Sequence, residues 1–241
     1  MAAPLTEAAI ERVRSLIMSG RLVPGQRLPA EAELSAELGV SRSSLREAVR
    51  GLVTAGVLDV RRGDGTYVTS LTPPLLLTGI GAAVELMGDD SILDLLESRR
   101  LIEPGVTALA ALRSTPEQQQ EMHHHIALMA EATAQKDLIR HDTDFHAAVA
   151  RSSHNQVLAT LLTGISSGTL RTRVWRGIMD ADANHRTVEE HRAILEAIEA
   201  RDPSRAEAAA LLHVVSVESW LQRMVATHGP RTTEQATPKT T

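Results

Sequence analysis

The sequence predicts a mainly α-helical protein in two parts, a small helical unit closed by a β-hairpin and then a larger all-helical bundle. Three observations lead there. Apolar residues recur at three- and four-residue spacing over most of the chain. Only the stretch around residues 57–70 shows short β-type runs, arranged about a Gly-Asp-Gly turn. Aromatic residues are 2% of the chain, so the core is built from Leu, Ala, Val and Ile, which suits close-packed helices.

Residues 5–19, LTEAAIERVRSLIMS, carry Ile10, Val13, Leu16 and Ile17 at helical spacing, with Thr6 as the expected N-cap. GRLVPGQRLP is a turn-rich break. AEAELSAELG makes a short helix that should end at Gly39. VSRSSLREAVRGLVTAGV follows, with Ser41 as cap and Leu45, Val49, Leu52 and Val53 on one face. VLDVRR and GTYVTS then flank Gly63-Asp64-Gly65, a hairpin signal. Helix, helix, tight turn, helix, hairpin is the order of a winged helix-turn-helix. It is expected over residues 1–72, with Pro73-Pro74 as the boundary. From 78 to 228 every long segment has the helical period, and about six helices should form an all-α bundle. The stretch 229–241, GPRTTEQATPKTT, is polar and expected to be disordered.

Composition narrows the function. At 241 residues, 43% hydrophobic, the chain can bury one or two cores. No apolar run approaches the ~20 residues of a membrane span, and the start lacks the order of a secretory signal. A cytoplasmic protein without membrane contact is expected. There are no cysteines, so disulfides and thiolate metal sites are excluded. Few aromatics argue against single-strand nucleic-acid binding by stacking. The net charge of −5 argues against a uniformly basic surface, but the charge is uneven. Residues 1–70 hold nine Arg and eight Asp or Glu, +1, whereas the rest holds 16 basic and 22 acidic residues, −6. Between Ser41 and Tyr67, Arg42, Arg46, Arg50, Arg61 and Arg62 face Glu47, Asp59 and Asp64, a local basic patch able to meet phosphate.

A helix that reads DNA needs polar residues at its exposed N-terminal turn and apolar ones behind. Ser41, Arg42, Ser43, Ser44 and Arg46 supply the first, and Leu45, Val49 and Leu52 the second. Arg can meet guanine through two parallel hydrogen bonds, and a helix N-terminus can hold a phosphate. Alone, such a helix is equally well a solvated amphipathic one; the ordered pattern of helix-turn-helix plus wing favours the DNA reader.

A second pattern stands in HDTDFH, 141–146. Asp142 and His146 are four residues apart and leave one helix face together. The ARDPSR turn joins two later helices, His191 lying ten residues before Arg201 and His213 nine after Ser204. At the helical rise both sit roughly 14–15 Å from the turn, so they face each other. One carboxylate and three imidazoles then converge. That set suits a divalent transition metal, Zn, Ni, Mn or Fe, without selecting one. His123, His124 and His125 point ~100° apart and read as a mostly solvated face, and Asp144 is a rival carboxylate that points away from His146.

LPAEAELSAELGVSRSSLREAVRGLVTAGVLDVRRGDGTYV resembles the N-terminal domain of the GntR family of bacterial transcription regulators. The helical remainder is similar to the FadR-type subfamily with its FCD domain. The resemblance implies that Arg42 and Arg46 contact DNA, that Ser41 holds phosphate, and that Gly65 sits at the wing tip. Ala32 departs from the family's frequent arginine after the glutamate of LP-x-E, so one usual contact is missing. The resemblance also carries a D-x₃-H helix and two later histidines as metal ligands, matching Asp142, His146, His191 and His213. It implies a pocket where a small carboxylate effector binds, with Arg99 as its partner. An ion pair of Arg99 with Glu103 at i+4 is the alternative. A homodimer on a palindromic double-stranded operator follows from half-site logic and from the resemblance. The rival reading is a metal-dependent hydrolase fused to a DNA-binding domain. It lacks an evident base, because Glu189 and Glu190, as neighbours of His191, should face away from it.

Overall fold

The structure, a computed structural model, describes residues 3–87, 91–169, 172, 176, 177, 179, 180 and 182–228. The chain divides into two compact units, Met1–Ala83 and Val84–Thr241, each with its own core.

The first unit runs α1 (Ala3–Met18), α2 (Glu31–Leu38), α3 (Arg42–Thr54), β1 (Leu58–Arg61), β2 (Gly65–Val68) and α4 (Pro73–Leu76), and α5 (Thr78–Leu86) spans the boundary. Val13, Leu34, Leu45, Leu52, Leu58 and Val68 form its core, the apolar positions that the helical and strand periods place inside. This is the expected winged helix-turn-helix. α1 starts upstream of expectation, so Thr6 lies within the helix rather than capping it; Pro4 fits a first helical turn, where no N–H needs a partner. α2 ends at Gly39, left-handed at φ 60°, as predicted. Ser41 caps α3, its Oγ accepting from the Ser44 N–H at 3.0 Å.

β1 and β2 pair antiparallel, Leu58 opposite Val68 and Arg61 opposite Gly65. The segment read as a turn-rich break adds to this sheet. Leu28 N–H donates to the Thr66 carbonyl at 2.8 Å, and Val68 N–H to the Gln26 carbonyl at 2.9 Å. The unit also extends past Pro73-Pro74. Those prolines open α4, and a β-carbon on Gly56, held at φ 70°, would overlap the Leu75 carbonyl; close backbone approach keeps α4 in the first unit.

The second unit contains α6 (Ile92–Arg113), α7 (Pro116–Glu131), α8 (Gln135–Ser152), α9 (Gln156–Gly168), α10 (Ala183–Glu199) and α11 (Pro203–His228). α6 packs on α8, α9 and α11, α7 on α8, and α10 on α11. Met122, Ile126, Phe145, Val149, Ile194, Leu195 and Ile198 fill the centre. The α10–α11 turn uses Arg201 at φ 54° and the Asp202 carboxylate, which accepts the Arg205 N–H at 3.0 Å. α9 ends at Gly168. There the Thr169 hydroxyl bonds back to the Ser166 carbonyl at 3.0 Å, a local bond that competes with helix continuation. Among the described residues no helix is long and apolar enough to cross a membrane. Residues 229–241 lie outside the described residues.

Candidate nucleic-acid interface and candidate metal centre

α3 buries Leu45, Ala48 and Leu52 and exposes Arg42, Ser43, Arg46 and Arg50. Ser41, also exposed, bonds the hydroxyls of Ser43 and Ser44 at 2.9 and 2.8 Å. This polar N-terminal turn stands where a helix end favours an anion. Arg46 is engaged within the protein, Nη1 donating to Glu31 Oε1 at 2.9 Å. Arg50 pairs with Glu47 at 2.7 Å. The wing is braced by Tyr67, whose hydroxyl donates to Asp64 at 2.9 Å and whose ring lies 4.1 Å from the Arg61 guanidinium. Gly65 adopts φ 146°, and a β-carbon there would come within 2.5 Å of Arg27 Nε. Arg27 thus lies against the hairpin beside its turn. With Glu31, Arg46, Arg50 and Gly65 it lines a groove of about 750 Å³ between α3 and the wing. Sequence reasoning passed over Arg27 because it stands in the Pro- and Gly-rich break, where no period marks a face. Ala32 is exposed in the first turn of α2 and offers no polar atom.

Asp142, His146, His191 and His213 come together in the second unit, all buried. The ring centroids of the three histidines lie 4.7–5.0 Å apart, and each offers a nitrogen within 4.8 Å of the others. Asp142 Oδ1 is 3.6 Å from His191 Nε2 and 3.8 Å from His146 Nε2. Phe145 stacks on His191 at 4.4 Å between centroids and fixes its plane.

Two carboxylates orient the rings from behind. His146 Nδ1 lies 2.6 Å from Glu103 Oε1 and hydrogen-bonds it. His213 Nδ1 lies 2.8 Å from Glu190 Oε2. In both rings Nδ1 therefore carries the proton and Nε2 presents its lone pair inward. Glu190 shows a role that the sequence did not suggest. It does face away from His191, but toward His213 on α11, where it holds a ring and is not free to act as a base.

Arg99 is 1% exposed and makes the i+4 ion pair that was the alternative reading. Its Nε donates to Glu103 Oε2 at 2.9 Å and Nη1 to the Thr169 hydroxyl at 3.1 Å; Nη2 sits 2.8 Å from the same Glu103 oxygen, off the hydrogen-bonding axis. Arg99, Glu103 and His146 thus form one buried chain. Burial alone would raise the Glu103 carboxyl, but Arg99 and then His146 hold it well below the usual carboxylate range. Burial, reinforced by His213 and His146, pushes His191 well below the ordinary imidazole value, and burial lowers His146 despite Glu103.

The histidine run on α7 is only partly the solvated face expected. His123 and His124 are exposed, and His123 meets Glu199 at 2.6 Å. His125 is half-buried, its Nδ1 3.3 Å from Nδ1 of His141, with Asp144 beside both. Asp144 does point away from His146, as expected.

An exposed arginine-bearing helix with a wing, joined to a separate helical unit, points to the class: a DNA-binding regulator. Residues 5–68 match the model for bacterial regulatory proteins of the gntR family, and residues 94–216 match the FCD domain. The chain is 35% identical over 228 residues to a protein given as a candidate regulator of the L-lactate dehydrogenase operon in Escherichia coli (strain K12), covering 91% of this chain and 87% of that one. It is 30% identical over 217 residues to the galactonate operon transcriptional repressor of the same organism, covering 88% and 94%. A solved GntR structure from Streptococcus agalactiae superposes with a TM-score of 0.68 at 31% identity, over 90% of this chain and 100% of that one. The chain belongs to the GntR family of bacterial regulatory proteins and carries an FCD domain. It is a DNA-binding transcription regulator and not an enzyme.

Proposed function

We propose that the protein is a homodimeric regulator that binds a palindromic operator and responds to a small hydroxy-carboxylate bound beside a divalent transition metal. The observation that carries this reading is the set of buried histidine nitrogens without partners. His146 Nε2, His213 Nε2 and both nitrogens of His191 make no hydrogen bond. Buried polar atoms are ordinarily satisfied, and ring nitrogens left open in so small a space call for a shared partner such as a cation. Three nitrogens beside one carboxylate oxygen fit Zn, Ni, Mn or Fe. His146, His191, His213 and Asp142 would hold the ion, with Glu103 and Glu190 fixing the ring tautomers. When bound, the ion would supply positive charge for a carboxylate.

Beside this cluster lies a cleft lined by Leu138, Ile139, Asp142, Arg176, Thr187 and His213 among others. Its volume is about 20 Å³, room for roughly one water. A ligand must widen it, so binding and conformational change become one event, and a ligand that prefers the widened state shifts the population. The operons named for two relatives concern lactate and galactonate, both hydroxy-carboxylates, which sets the chemical class to test first. At the DNA end, Arg42 and Arg46 read base edges, Ser41 and Ser43 meet phosphate, and Gly65 lets the wing approach the groove.

Metal analysis of the purified protein, paired with thermal unfolding, tests the centre. His191→Ala/His213→Ala should lose the bound ion and, with it, up to ~4 kcal/mol of stabilisation where free metal exceeds Kd about a thousandfold. His124→Ala should keep both. A fully loaded double mutant would show that the ligand set is wrong.

A further inference from the structure

The helical unit contains a second group of polar atoms without partners, and these are donors. Arg176 is 4% exposed. Its Nη2 donates to the Ser216 hydroxyl at 2.8 Å, but Nε and Nη1 are buried and make no hydrogen bond. Gln135 Nε2 is also buried and unpaired. It belongs to the same neighbourhood: Gln135 Oε1 accepts from Asn184 Nδ2 at 3.2 Å, and a β-carbon on Gly177 would collide with its amide nitrogen. Arg176, Gly177 and Asn184 all line the cleft that Asp142 and His213 border.

The fold offers Arg176 little anionic compensation. Burial lowers its affinity for a proton, and the two carboxylates that oppose this are already engaged, Glu190 by His213 and Ser216 and Asp180 by Arg186. A buried guanidinium with open donors is destabilising unless an acceptor arrives. Arg99, by contrast, is engaged by Glu103 and Thr169 and does not line the cleft.

We propose that Arg176 is the anion anchor of the effector cleft, holding the carboxylate of a small hydroxy-carboxylate while Gln135, Asn184 and Thr187 form the polar wall that meets its hydroxyl. Ser216 takes one of the two Nη2 hydrogens, so the Nη1/Nη2 end of the guanidinium can still meet both oxygens of a carboxylate, a pairing Arg is shaped for. This rests on the reading of the cleft as the effector site, and it replaces Arg99 with Arg176 as the direct partner.

Arg176→Met separates the alternatives. Thermal unfolding of full-length, metal-loaded protein is measured alone and with millimolar L-lactate, D-galactonate or acetate, the last as a carboxylate lacking a hydroxyl. An anchor awaiting its anion predicts that Arg176→Met melts at or above the wild-type temperature without ligand, because an uncompensated buried charge has been removed. It predicts too that the hydroxy-carboxylate shift disappears, with Kd by calorimetry weakened ~10- to 100-fold, the loss of one charge-assisted contact. Arg176→Lys should retain part of the shift. A lower melting temperature for ligand-free Arg176→Met would make Arg176 a structural ion-pair partner and overturn the inference. An undiminished ligand shift in the variant would overturn it while leaving the effector cleft in place. No shift in wild type with any of the three would overturn the cleft reading and this inference together.

Discussion

Two arginine–glutamate pairs of nearly equal length stand in the two units. Arg46 meets Glu31 at 2.9 Å in the first, with side chains 55% and 42% exposed. Arg99 meets Glu103 at 2.8 Å in the second, with side chains 1% and 2% exposed. Distance is the same; solvent is not. The exposed pair is worth ~0–1 kcal/mol and can be exchanged for a phosphate or a guanine edge at little cost. The buried pair has no water to fall back on, and removing one partner leaves an uncompensated charge. The DNA-binding unit therefore carries a contact that lets go, and the FCD domain one that does not.

The largest test of that contrast is Arg99→Ala. Loss of the partner that counters burial of Glu103 should destabilise the protein by ~3–5 kcal/mol, read as a lower urea midpoint. Arg46→Ala should change folding stability by less than ~1 kcal/mol. Equal midpoints for the two variants would erase the distinction. The effect should reach folding itself because the Arg99 side chain is enclosed and ion-paired.

Next in size is DNA affinity. Arg42→Ala and Arg46→Ala should each weaken binding to a duplex selected from a random pool by ~1–3 kcal/mol, measured by fluorescence anisotropy. Arg27→Ala should act differently, weakening all duplexes alike and reducing the salt slope by ~1, since its place beside the wing turn, outside α3, suits phosphate rather than a base edge. A double Arg42/Arg46 variant that binds as wild type removes α3 as the reader. The smallest effect belongs to Ser41→Ala. Losing the cap that accepts the Ser44 N–H should cost ~1 kcal/mol of stability. A larger loss in DNA binding than in stability would mark Ser41 as a phosphate contact as well as a cap.

Much of this was legible in one dimension. Helical period placed Val13, Leu45 and Leu52 inside, the Gly-Asp-Gly turn placed the wing, and the i+4 spacing put Asp142 and His146 on one face. Equal distances from the ARDPSR turn brought His191 opposite His213. Each of these follows from the geometry of a single element or of two elements joined by a short turn. Which neighbour stands behind a face does not. Glu103 behind His146 and Asp144 beside the His125–His141 pair depend on how α6, α7 and α8 are rotated against one another. Glu190 reaches His213 through the rotation of α10 against α11. Arg176 looks in sequence like any other arginine in TLRTRVWRG. Only packing shows that it is buried with donors left open, because burial and hydrogen-bond satisfaction belong to the assembled side chains and not to the order in which the residues are written.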